Sequence, residues 1–408
     1  MVPTRLSDSS KRVRSQPAAQ TRTRASAVAL WILNCGCMKL KRLLADLAIE
    51  NRDDLLQHRA MQRFARLVLF VVLFSCGAGC ATPGGLSKRI LTAPNFQNRR
   101  LVSPNWEDLF AKGLGWKTNP FQTRTIPVGP PEAKLSALEL PATDYQIDFT
   151  SSITNLPNGK HEFIVKGLPR TNSPPATVKE LGTIVVLHGY SLNKETMLPW
   201  AFVLAQAGYR VVLVDLRGHG QSTGDTFSCG KYETRDLVQA LDYLRGRGVC
   251  GDKVGVLGLS FGANLALYWA ARDPRVKTVV AIAPYDRPEQ AFERFAHEMK
   301  LPVSHKSLEK ALTLSANKLD LNWSDWSGEA AMRQQKQPVL LIGGEKDKIS
   351  PPSDLEALKQ AAPPGSRTIM IATANHFTVG YSFEQLSEPI KLWFEERLQS
   401  LVQLTSSA

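Results

Sequence analysis

From residue 143 onward the chain alternates short apolar runs with amphipathic stretches, most of them bounded by Gly, Asn or Asp. Residues 145–151 alternate as a half-buried strand does, Asn158-Gly159 supplies a hairpin turn, and 161–165 read as the partner strand. The continuous apolar run over 183–187 predicts a strand buried on both faces. A helical stretch over 195–207 then closes at Gly208. The unit recurs, with strands over 210–214, 253–257, 276–283, 338–342 and 368–371 and helices over 232–244, 264–271, 355–361 and 383–398. Strands alternating with helices predict a mostly parallel sheet covered by helices on both faces, an α/β architecture. Chemistry in such sheets collects beyond the carboxyl ends of the strands, and the polar motifs of this chain fall there.

Two regions break the alternation. Residues 285–337 lack strand character but carry Phe292, Phe295, Met299, Trp323 and Trp326, which reads as a mainly helical cap inserted over the site. Residues 81–142 are rich in Pro, Gly, Asn and Arg and show neither period. They read as a tether and an arm packed on the edge of a domain spanning 143–402. Upstream, residues 61–80 (MQRFARLVLFVVLFSCGAGC) place Arg63 and Arg66 before eight unbroken apolar residues, then small residues and cysteine. That is the layout of a secretory signal, too short for a stable membrane span. Residues 1–60 read as a disordered or mis-assigned extension, with translation expected to start at Met61.

Charge alters this picture little. Residues 1–79 hold 13 Lys/Arg against 5 Asp/Glu, leaving 37 basic and 32 acidic residues for the rest of a chain of net charge +13. A body so nearly balanced gives no ground for a nucleic-acid partner. Of the six cysteines, Cys35 and Cys37 lack the second pair a zinc site needs, and only Cys229 and Cys250 fall in the body. Those two flank the helix predicted over 232–244. Such a helix rises roughly 20 Å, whereas bridged Cα atoms lie within about 7 Å, so no disulfide is expected between them.

The chemistry centres on Gly258-Leu259-Ser260-Phe261-Gly262, set between an apolar strand and a helix of small residues. A serine on so sharp a turn is held with its hydroxyl exposed, and the flanking glycines have a steric reason to be glycine. A serine nucleophile needs a base, and the base an orienting acid. Of seven histidines, His376 is the one that follows the last strand, so it is the candidate base. Asp347, just past the strand over 338–342, is the candidate acid, while Asp354 is assigned to capping the next helix. The oxyanion donors expected are the backbone N–H of Phe261 and that of Tyr190, in the loop after the strand over 183–187. His188 is expected to bond that loop rather than react, and His219 to be structural. No metal or cofactor is implied.

The motifs VVLHGY (185–190), DLRGHGQS (215–222), GLSFG (258–262), GGEKDKISP (343–351) and NHF (375–377) stand in the order of one family. Over residues 143–400 the chain resembles the α/β-hydrolase superfamily, in particular its lysophospholipase-like and serine-aminopeptidase-like members. The resemblance implies an α/β-hydrolase fold and a serine hydrolase that cleaves a carboxylic ester of a small or lipid-like acyl substrate. Peptidase, thioesterase or acyltransferase chemistry on the same residues remains open, as does a non-enzymatic binding lipoprotein. Residues 61–80 resemble a bacterial lipoprotein signal, with Cys80 favoured as the lipidated residue and Cys76 as the alternative. That implies an exported protein held at the membrane by a lipid anchor; secretion is the alternative.

Overall fold

The computed structural model describes residues 82–97, 120–155, 161–170 and 176–405. The stretch 61–80, with Cys76 and Cys80, lies outside the described residues. Among the described residues the first element is helix α1 (Pro83–Leu91), and strands β1 (Gln122–Val128) and β2 (Ala133–Leu140) follow. A separate hairpin pairs Ile147–Asn155 with His161–Pro169. Then come β3 (Gly182–Leu187), α2 (Leu198–Gln206), β4 (Tyr209–Val214), α3 (Lys231–Gly246), β5 (Val254–Leu259) and α4 (Phe261–Arg272). Next are β6 (Val276–Ile282), α5 (Pro288–Glu298), α6 (His305–Leu319) and α7 (Gly328–Gln334). The chain continues through β7 (Val339–Gly344), α8 (Pro352–Ala361), β8 (Arg367–Ile371) and α9 (Phe383–Thr405).

The eight-stranded sheet runs β1-β2-β4-β3-β5-β6-β7-β8. It is parallel from β4 onward, with β1 and β2 joined antiparallel at one edge. Its central strands read as unbroken apolar runs because both faces are covered. Ile184 and Val186 of β3 meet Trp200 and Phe202 of α2 and Phe383, Trp393 and Phe394 of α9. Val185 and Leu187, pointing the other way, meet Leu237 and Leu241 of α3 and Leu265 and Trp269 of α4. Cys229 and Cys250 are buried free thiols at the two ends of α3. Among the described residues no helix is long and apolar enough to cross a membrane.

The mostly parallel sheet flanked by helices matches the expected architecture, with one correction at its start. Gln122–Leu140, assigned above to an arm outside the domain, forms the first two strands of the sheet. Strand β2 is buried at every position but Lys134, and it buries Ser136 and Glu139 among its apolar residues. Glu139 is held by Arg124 and Arg210, and the amide of Ser136 donates to Ser222 Oγ at 2.8 Å. Polar residues satisfied by partners distant in the chain erase the period that would have marked the strand.

The interval 285–337 is helical, but its helices divide their work. Helix α7 joins the core through Ala331 and Met332, and α6 carries α1 on its apolar side. Only α5 turns residues toward the cavity described below.

Candidate active site

Ser260 ends β5 and caps α4, with φ 53° and ψ −116°. An L-residue in the left-handed region carries strain that its surroundings must hold. Here the Ser260 amide donates to Ile282 O at 2.8 Å, and Ser260 O accepts from Ala263 N and Asn264 N at 2.9 and 3.1 Å. The neighbouring glycines are sterically required. A Cβ on Gly258 would lie 2.2 Å from Gly262 O, and one on Gly262 would lie 2.6 Å from the carbonyl oxygens of Leu187 and His188. The turn therefore packs directly against the loop after β3, which brings the two loops expected to supply the N–H donors side by side.

The structure brings Ser260, His376 and Asp347 together from β5, the loop after β8 and the loop after β7. Ser260 Oγ lies 2.8 Å from His376 Nε2, and His376 Nδ1 lies 2.8 Å from Asp347 Oδ2. The other carboxylate oxygen of Asp347 accepts the amides of Ile349 and Ser350 at 2.8 and 2.7 Å. With both oxygens engaged, the Asp347 side chain is fixed in one orientation, and with it the imidazole. The acid and base loops are also stitched together, since Lys346 N donates to Ala374 O at 2.9 Å and Glu345 N to Ile371 O at 3.1 Å. Asn375 closes the turn around His376 by accepting Phe377 N at 2.9 Å, and the Trp200 indole donates to Gly380 O at 2.7 Å.

Asp354 departs from its assignment. It stands inside the first turn of α8, and its carboxylate accepts from Arg294 of α5 at 2.5 Å and from Asp286 N at 3.2 Å. It joins α5 to the acid loop instead of capping α8, because a guanidinium unseen in the local sequence lies within reach.

The loop after β3 is clamped to the loop after β4. His188 Nε2 accepts the Leu216 amide at 3.0 Å while its Nδ1 meets Gly189 O at 2.8 Å, so its ring bridges the two loops. Burial holds His188 below the ordinary imidazole range. Lys194, fully buried, places Nζ 2.8 Å from Asp215 Oδ2 and 2.9 Å from Glu195 Oε1. Burial pushes its ammonium toward neutrality, but the two carboxylates outweigh this and raise its pKa. The pKa of His219 is lowered to about 3, first by burial and then by His188.

A cavity of about 230 Å³ opens onto Ser260 and His376. Tyr190 and Phe261 line it, as do Phe292 and Phe295 from α5 and, from loops, Phe227, Leu192, Ile349 and Phe377. Among the described residues that line it, none is Asp, Glu, Lys or Arg. The Tyr190 ring packs against Phe227 at 4.9 Å and Phe292 at 6.5 Å between centroids, so it belongs to the aromatic wall. Phe227 carried no signal in the sequence, because it lies in a loop where no period marks a buried face.

Residues 168–294 match the model of the X-Pro dipeptidyl-peptidase (S15) family. That segment contains Tyr190, Ser260 and Phe261 but ends before Asp347 and His376. The uncharacterized protein YqkD of Bacillus subtilis is 28% identical over 203 residues, 49% of this chain and 66% of that protein. A thermostable monoacylglycerol lipase of a Bacillus species is 24% identical over 217 residues, 50% of this chain and 85% of the lipase. An esterase of Pyrococcus furiosus superposes with a TM-score of 0.51 and 19% identity, covering 72% of this chain and 95% of the esterase. These likenesses show that the chain has an α/β-hydrolase fold and that residues 168–294 are similar to the S15 family.

Proposed function

We propose that the chain is a serine hydrolase of carboxylic esters, acting through an acyl-enzyme on Ser260. The observation that carries this reading is the chain of contacts from Ser260 Oγ to His376 Nε2 and from His376 Nδ1 to Asp347, each 2.8 Å. Ser260 Oγ attacks the ester carbonyl carbon while its proton passes to His376 Nε2, and Asp347 stabilises the resulting imidazolium. The N–H groups of Tyr190 and Phe261 receive the oxyanion, aided by the N-terminus of α4. Collapse of the tetrahedral intermediate expels the alcohol with the proton from His376. Water, deprotonated by the same nitrogen, then releases the acid and restores Ser260.

The cavity favours an uncharged substrate. At about 230 Å³ it is small, and among the described residues that line it there is no carboxylate to pair with the free ammonium of a peptide N-terminus. Pockets for drug-sized ligands run roughly 300–1,000 Å³. A compact apolar acyl group suits this space better than a peptide, despite the peptidase family match. The chain is further proposed to be exported and anchored through lipidated Cys80, or Cys76, so that membrane-adjacent esters come within reach. Intact mass of the N-terminal peptide from a membrane fraction tests the anchor, and an unlipidated mature start would remove it.

The decisive experiment treats the purified protein with a fluorophosphonate and maps the adduct by mass spectrometry. Label on Ser260 that disappears in His376→Ala supports the reading. A folded protein that takes no label, or takes it elsewhere, overturns it.

A further inference from the structure

The segment upstream of the sheet has no part in the mechanism above, yet it reaches the aromatic wall of the cavity at two points. Helix α1 lays Leu86 and Ile90 against Leu308 and Leu312 of α6, a cluster that Phe292 of α5 also joins. Buried Ser315 of α6 donates to buried Ser87 Oγ at 3.1 Å. Beyond α1 the chain turns along the loop after β4. Phe227 N donates to Leu91 O and Ala93 N to Asp225 O, both at 2.8 Å. Thr92 and Thr226 form an antiparallel bridge. Asn95 Nδ2 donates to Gly220 O at 2.8 Å and Ser222 O at 3.2 Å. The fit is close, since a Cβ on Gly218 would lie 2.1 Å from that of Ala93.

One short segment thus holds Phe227 by its backbone and Phe292 through the α1–α6 cluster. These two rings pack edge to face in the cavity wall, their centroids 6.3 Å apart. We propose that residues 83–95 form a strap that sets the spacing of Phe227 and Phe292 and so fixes the length of acyl group the enzyme accepts. Phe227 and Phe292 are the specificity-determining residues, and Leu86 and Ile90 are positioning residues that act through them. The proposal rests on the cavity being the acyl site. It gives the N-terminal arm a task in selectivity: with the strap docked, the aromatic wall is closed and long acyl chains are excluded.

The test uses the full-length protein and p-nitrophenyl esters from acetate to decanoate, with kcat and KM measured separately. In Leu86→Ala/Ile90→Ala, the decanoate-to-acetate ratio of kcat/KM should rise by about tenfold, the lower end of what one methylene is worth in an apolar pocket. The kcat for acetate should stay within about twofold of the parent, since Ser260 and His376 lie on other elements, and loss of a merely structural helix would move all esters together. Phe292→Ala should reproduce the shift. Should the double variant not fold, Asn95→Ala is read the same way, with hydrogen exchange at the Phe227 amide reporting undocking. If Phe292→Ala shifts the ratio and an undocked strap does not, the strap proposal is overturned while the esterase reading stands. If neither shifts it, the strap proposal falls with the assignment of the cavity. Turnover retained in Ser260→Ala would instead remove the proposed function itself.

Discussion

The strain at Ser260 and the freedom of its hydroxyl are two sides of one arrangement. A residue with φ 53° between two glycines cannot relax without lifting β5 or α4 from the core, so its side chain stays aimed at His376. Ser260→Ala should leave the fold intact and lower ester turnover by roughly 10⁴-fold or more; near-normal turnover beside an unchanged circular dichroism spectrum would contradict the assignment. Asp347→Asn should lower kcat by about 10³–10⁴-fold with little change in KM, because it disturbs the orientation and charge of the base and not the cavity. Gly262→Ala tests the packing separately. The added methyl meets two carbonyl oxygens at 2.6 Å, so unfolding in urea should show a loss of about 1–3 kcal/mol. At this scale the sequence was most legible. Ser260 and its glycines announced themselves because Gly258 and Gly262 meet within the turn, and His376 and Asp347 could be chosen by their order after later strands. Asp354 was misassigned because its partner, Arg294, lies 60 positions away.

Elements decide how rigidly these side chains are presented. The loop after β3 would be free to move were it not pinned by Lys194 between Asp215 and Glu195 and by the His188 ring on Leu216 N. Lys194→Met would leave two carboxylates buried without their cation, and should cost about 3–5 kcal/mol in chemical denaturation. A stability unchanged within error would mean that the ion cluster relaxes into solvent. Helix α5 is pinned differently, by Arg294 to Asp354 next to the acid loop. The pair is partly exposed, so Arg294→Ala should cost less, about 1–2 kcal/mol. Because α5 contributes Phe292 and Phe295 to the cavity, KM for esters should rise in this variant more than kcat falls.

Across the whole molecule, two buried histidines make the fold sensitive to acid. In the unfolded chain an imidazole titrates near about 6.5. The folded value is lowered for both His188 and His219, reaching about 3 for His219, so the unfolded state binds more protons as the pH falls. The stability is fully present above the unfolded pKa. It is lost as pH drops from about 6.5, at up to about 1.4 kcal/mol per pH unit for each histidine. Urea midpoints measured between pH 7.5 and 5 should fall steeply in the parent protein and more shallowly in His219→Phe; parallel slopes would show that His219 does not titrate in this range. The sequence by itself determined the order of the elements from residue 143 onward, the parallel part of the sheet and the identity of the serine turn. Periodicity and the close approach of Gly258 to Gly262, four residues on, are written into neighbouring residues. Only the tertiary structure decided that Gln122–Leu140 belongs to the sheet, that one helix of the interval 285–337 faces the cavity, and that Phe227 packs against Phe292. Each of these depends on partners far apart in the chain, and satisfying a buried polar group or closing an aromatic wall at a distance leaves no periodic trace along the sequence.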